Sequence, residues 1–127
     1  MSQPQRSPVV CVSYLAAAAL WKVARFPMAG QGPEVLAIEQ SIAADGPMAA
    51  AVLAALDVPT LPLSNAIGED IYGAEVGRWL RGHHVTTVTN AATGVSTPRT
   101  VIVADGQSTR TWFSYLPNVV DALGAMR

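Results

Sequence analysis

Few side chains in this sequence are of a type and spacing that do chemistry, and each has an ordinary structural use beside the chemical one. Glu69 and Asp70 are adjacent carboxylates, the residue type that does general acid and base work. They stand between an apolar run and a helical pattern, where a carboxylate caps the helix and complements its dipole. His83 and His84 close that pattern, where a cation meets the carbonyl end of the dipole. Cys11 is the single cysteine, so it has no partner for an internal disulfide, and with the two histidines it forms too small and too badly spaced a set for tetrahedral zinc. A lone thiol fits a reducing cytoplasm. Asp45-Gly46 opens a helix whose first N–H groups either face an oxygen-rich ligand or are simply capped. Trp21 and Trp112 fall on strands and can line a pocket or an interface, whereas Trp79 shares a helical face with Val76. The strong signatures are missing: no glycine-rich loop ending in Lys and Ser or Thr, no Gly-x-Ser-x-Gly elbow and no His-Glu-x-x-His pair.

The elements that must position these groups follow from the apolar pattern. At 127 residues, 50% hydrophobic and 13% charged, the chain has the size and composition of one folded domain, expected over residues 9–127 behind a polar leader at 1–8. A formal charge of −1 leaves no basic face for nucleic acid. The apolar run at 9–20 falls short of the roughly 20 residues that a membrane span needs, so neither a signal peptide nor an anchor is expected. The β-branched run at 9–14 reads as a core strand covered on both faces. Residues 16–19 have helical composition, and 20–26 and 35–42 read as extended, separated by Gly30, Gly32 and Pro33. A helix enters through Asp45-Gly46-Pro47 and runs to Leu56. A second core strand is expected at 60–67 despite Pro62, then a helix from Ile71 to Arg81 stopped by Gly82. The last third, with runs at 85–89, 97–103 and 109–115, reads as strands closing in a hairpin, followed by a short helix at 118–123.

Three stretches stand out as a set. They are Asp45-Gly46-Pro47-Met48-Ala49-Ala50 with the alanine-rich helix behind it, Ile67-Gly68-Glu69-Asp70-Ile71-Tyr72-Gly73, and Thr93-Gly94-Val95 followed by residues 99–103, Asp105-Gly106 and Arg110-Thr111. In this order they resemble the N-terminal half of the PfkB, or ribokinase-like, family of carbohydrate and nucleoside kinases, over residues 9 to about 120. The resemblance implies an α/β fold, the N-terminal half of a ribokinase-like fold. That means a partial core sheet with helices plus a small β lid, with lid strands in approximately 20–42 and 97–115. It further implies a ligand site between the end of the first core strand, the start of the first helix and the inner lid face, at Tyr14, Ala16, Ala18, Asp45, Gly46, Ala50 and Arg99. No catalytic residue and no metal ligand are expected among them.

Two departures bear on the ligand. The Asn and Asp that follow the family's first strand correspond to Ala16 and Ala18, and its Gly-Gly-x-x-x-Asn motif keeps one glycine and ends in Ala50. Fewer hydrogen-bonding groups imply a bulkier, less polar ligand than a free pentose. Arg99, the one cation on its strand, is expected to pair with Asp45 or with an anionic ligand. The family's Asp-Thr-x-Gly-Ala-Gly-Asp segment, whose amides stabilise the transferring phosphoryl group and whose Asp takes the hydroxyl proton, does not occur in these 127 residues. ATP and Mg therefore belong to the full-length family. This chain is expected to need no cofactor and to be inactive alone, as the substrate-side half of a sugar or nucleoside kinase. The alternative is a repurposed, non-catalytic small-molecule-binding or homodimeric assembly module. Either reading implies a partner: a second copy through the lid strands or a complementary C-terminal half, with no nucleic acid and no membrane.

Overall fold

The computed structural model describes residues 6–43, 45–86 and 91–125. Behind Pro8, β1 (Val9–Val12) pairs in parallel with β4 (Thr60–Leu63), Val9 opposite Thr60 and Val12 opposite Leu63. Helix α1 (Asp45–Ala55) packs against both strands, with Pro47 in its first turn, where a missing N–H leaves no bond unmade. Asp45 is the first helical residue. The expected burial of β1 on both faces is corrected: Val9, Val10 and Val12 are 43%, 52% and 60% exposed, and only Cys11 packs toward the core. Among the described residues β1 has a neighbour on one edge and a helix on one face, so its composition suits a buried strand while its surroundings cover half of it.

The chain leaves β1 through residues 13–15 into a four-stranded sheet of order β3-β2-β7-β8. Its members are β2 (Ala16–Val23), β3 (Val35–Ala43), β7 (Arg99–Ala104) and β8 (Arg110–Tyr115). Strand β2 is antiparallel to β3 and parallel to β7, and β7 turns back into β8 through a hairpin in which Asp105 Oδ1 accepts from the N–H groups of Gln107 and Thr109. The helical composition of residues 16–19 is overridden, since all four are strand paired with β3, and 17–19 pair with β7 as well. Alanine's helix preference is worth a few tenths of a kcal/mol per residue, less than the ladder hydrogen bonds and burial gained there.

Between β4 and the second helix the expected strand at 60–67 is broken. Residues 64–66 leave the ladder, and β5 (Ile67–Gly68) pairs in a separate two-stranded sheet with β6 (Ala91–Ala92). Helix α2 (Ile71–Gly82) continues through the glycine expected to stop it and is capped by His83, whose ring stacks on Trp79 at 3.8 Å and bonds the Trp79 carbonyl through Nδ1. The run expected as a strand at 85–89 is not one at Val85 and Thr86, and its remainder lies outside the described residues. The chain closes with α3 (Val119–Gly124). Leu15 from the β1–β2 junction, Ala17, Ile42 and Ile67 from the strands, Ala50, Val76 and Leu80 from the helices, and Val85 meet in the core.

The Ile67-to-Gly73 stretch has a physical reason for its spelling. A Cβ on Gly68 would strike the Val95 carbonyl oxygen, and one on Gly73 would strike that of Gly68, so both positions exclude a side chain. Asp70 between them caps α2 by accepting from the Gly73 N–H at 2.8 Å. Its carboxylate also accepts from the Thr97 N–H at 3.0 Å and hydroxyl at 2.7 Å, tying the helix start to the chain that enters β7. Among the described residues no helix is long and apolar enough to cross a membrane.

Candidate functional site

The site is built where β1 hands over to β2. Ser13 Oγ accepts the Gly46 N–H at 3.0 Å and donates to the Tyr14 carbonyl at 2.8 Å, which fixes the start of α1 against the end of β1. Glycine at 46 makes this approach possible, because a Cβ there would crowd the Ser13 hydroxyl. Replacing Ser13 with alanine leaves a helix N–H without that acceptor. We expect a loss of about 1 kcal/mol, read from the urea unfolding midpoint. One residue on, the buried Asn65 amide accepts the Leu15 N–H at 2.8 Å and donates to the Leu15 carbonyl at 3.0 Å. These bonds hold the junction on which Tyr14 and Ala16 sit.

Strand alternation sorts the four-stranded sheet into two faces. One carries Ala16 and Ala18 with Ala43, Thr100, Ile102, Arg110, Trp112 and Ser114. Tyr14 stands against it and, with Ala43, Thr100, Ile102, Arg110, Trp112 and Ser114, lines a pocket of about 240 Å³. Its polar groups are the Tyr14 hydroxyl, the Arg110 guanidinium and the Thr100 and Ser114 hydroxyls, which bond each other at 3.0 Å. The exposed indole of Trp112 supplies a flat wall. Such a pocket can hold a small ligand with hydroxyl groups and one flat or apolar side.

Of the seven residues expected at the site, Tyr14 lines this pocket, and Ala16 and Ala18 lie on the same sheet face, almost fully buried. Asp45 is exposed at the start of α1, and Gly46 beside it is buried. Ala50 is fully buried in the core, so its side chain has no surface to offer a ligand. Arg99 is on the other face of the sheet. It pairs with Ala17, and its guanidinium lies 4.5 Å from the Tyr72 ring centroid and 5.3 Å from that of Tyr115. The expected Arg99–Asp45 pairing does not form, and the cation beside Tyr14 is Arg110. Arg110 was within reach of the sequence: in a hairpin pairing Ala104 with Arg110, the residues Trp112 and Ser114 share its face, and a register was the one missing datum.

The two adjacent carboxylates have different surroundings. Burial pushes the Asp70 carboxyl up, but the hydrogen bonds from the backbone and side chain of Thr97 and from the N–H groups of Gly73 and Tyr72 outweigh it, holding the group below its ordinary value. Glu69 is exposed and accepts from the Thr93 hydroxyl at 3.1 Å. Among the described residues no three His, Cys, Asp or Glu side chains come together to hold a metal ion.

Solved structures share this fold. The chain superposes on ribokinase from Giardia lamblia with a TM-score of 0.72 at 20% identity, covering 94% of this chain and 41% of that one. Ribokinase from Cryptococcus neoformans in complex with ADP gives 0.74 at 16% identity, covering 89% and 35%. The fold is ribokinase-like. The nucleoside kinase of Methanocaldococcus jannaschii, described as an archaeal member of the ribokinase family, matches at 0.68 and 19% identity, covering 89% and 38%. The chain thus spans 35 to 41% of the length of these ribokinase-like structures. At such identities the likeness is one of fold. No protein-family model and no curated protein sequence matches the chain.

Proposed function

We propose that this chain is the substrate-side part of a ribokinase-like sugar or nucleoside kinase, and that its ligand lies between Tyr14, the start of α1 and the sheet face bearing Thr100, Arg110, Trp112 and Ser114. The observation that supports this most is the pocket of about 240 Å³ beneath a four-stranded sheet, in a fold shared with ribokinases and a nucleoside kinase. The hydroxyl pair and Arg110 bond a polyol edge, and Trp112 stacks on a flat group, which favours a nucleoside over a free pentose.

No step of phosphoryl transfer is assigned to the described residues, because the segment that the resembled kinases use for it does not occur in this sequence. ATP would be held by polypeptide beyond this stretch, either in the same chain or in a complementary one. The bare apolar surface of β1 supports that reading, as do Met48, Val52 and Leu56, which leave one side of α1 exposed. A second reading, a homodimeric assembly module, is favoured by Trp21, Ile38, Phe113 and Tyr115, exposed together on the sheet face opposite Tyr14.

The test is a titration of the chain with adenosine and with ribose, followed by NMR of the Trp112 indole. The expected result is saturable binding of adenosine, at least tenfold weaker binding of ribose, and a further tenfold weakening of adenosine in Arg110→Ala, each tenfold being about 1.4 kcal/mol. No product forms from the chain with ATP and magnesium. ATP-dependent phosphorylation by these residues alone, or adenosine binding that leaves Trp112 unperturbed, would refute the assignment.

A further inference from the structure

We propose that the cleft around Arg99, on the sheet face opposite Tyr14, binds a small carboxylate that carries a compact apolar or aromatic group. Arg99 is half-buried, and its flat guanidinium lies between the rings of Tyr72 and Tyr115 at 4.5 and 5.3 Å. Ring contacts of this kind are cation–π attractions and need no N–H hydrogen bond. Among the described residues the Arg99 guanidinium makes no hydrogen bond and no ion pair. A half-buried guanidinium with no acceptor from the described residues can take an anionic one.

The surroundings define which anion. The cleft encloses about 320 Å³, at the small end for a ligand site. Ala17 and Ala19 form a floor with no side chain tall enough to fill it, while Trp21, Ile38 and Val101 supply apolar walls. Gln40 adds an amide, and Arg99 is the only charged residue in the lining. One fixed positive charge balances a monoanion better than a phosphate dianion, and the planar fork of arginine matches a carboxylate through two parallel N–H bonds. The apolar walls suit the remainder of such a molecule, and tyrosine rings on the guanidinium keep it from turning away on binding. Ala17 and Arg99 pair across β2 and β7 on one face while the Thr100 and Ser114 hydroxyls bond each other on the Tyr14 face, so the two sites lie back to back on one sheet with Thr100 at the border of both.

The experiment compares benzoate with its neutral counterpart benzamide, each titrated into the chain and followed by NMR at the Trp21 indole and the Ala19 amide. Benzoate is expected to shift both with saturation below about 10 mM, benzamide at least tenfold more weakly. Arg99→Ala weakens benzoate at least tenfold, and Arg99→Lys, which keeps the charge and loses the fork, recovers part of that loss. Equal binding of the two probes by the unaltered protein overturns the proposal without recourse to any variant. So does absence of saturation, or benzoate shifts at Trp112 in place of Trp21.

Discussion

Replacing Asp70 with alanine is expected to lower the stability of this chain by about 3 kcal/mol. A lost helix cap accounts for about 1 kcal/mol of this, and hydrogen bonds to a charged group, here from the Thr97 N–H and hydroxyl, supply the rest. The carboxylate bonds both the α2 start and the segment entering β7, so its removal loosens the sheet from the helix. Asp70→Asn keeps one acceptor oxygen and is expected to lose about half as much. The pH dependence has a definite sign. The folded-state value is held below the ordinary 3.8, so the contribution is complete above that pH and is lost as pH falls below 3.8 through the folded value. The unaltered chain should therefore lose stability on acidification in that window, and Asp70→Ala should lose less. Urea unfolding at pH 7 and at about pH 3 measures both. A change below about 0.5 kcal/mol at pH 7, or the same acid loss in the variant, contradicts the role given to Asp70.

The same region shows what a reader of the sequence could and could not see. The glycines at 68 and 73 and the acid at 70 were legible as a motif because close backbone approach and helix capping each admit only a few residue types. The β7–β8 hairpin was legible from its β-branched runs around Asp105-Gly106. Strand faces were not, because alternation says which residues share a face and leaves open which face meets the core. Arg99 was expected beside Asp45 on that account and stands against Tyr72 instead, one register position from the pocket lined by Thr100. Composition also misled at β1, since Val9, Val10 and Val12 spell a strand covered on both sides, whereas among the described residues one side and one edge are bare. Residues 16–19 misled in the opposite sense: four alanines report helix propensity, and only the strands pairing on either side decide otherwise.

Asn65→Ala is the substitution expected to cost most, on the order of 4 kcal/mol, although nothing in the local sequence marks that position. The Asn65 amide answers both backbone groups of Leu15, fifty residues earlier in the chain, and donates to the Ala66 carbonyl as well. Leu15 and Asn65 are buried, so water cannot replace the lost partner, and each orphaned backbone group costs about 1 to 3 kcal/mol. This also explains why the strand expected at 60–67 breaks at residues 64–66: there the chain leaves its ladder and aims the amide at the β1–β2 junction. Asn65→Asp keeps the acceptor for the Leu15 N–H but sets a carboxylate against the Leu15 carbonyl, so it should be no better than alanine at neutral pH. Because Tyr14 precedes Leu15, loosening the junction should weaken adenosine in the proposed pocket even where the variant remains folded, while benzoate at Arg99 on the opposite face is less affected. Hydrogen exchange at the Leu15 amide separates this from general destabilisation. Its protection should collapse in Asn65→Ala at temperatures where the amides of β7 and β8 remain protected. A Leu15 amide as slow to exchange as in the unaltered chain, with an unfolding midpoint within about 1 kcal/mol, would mean that the Asn65 bonds do not hold the junction together.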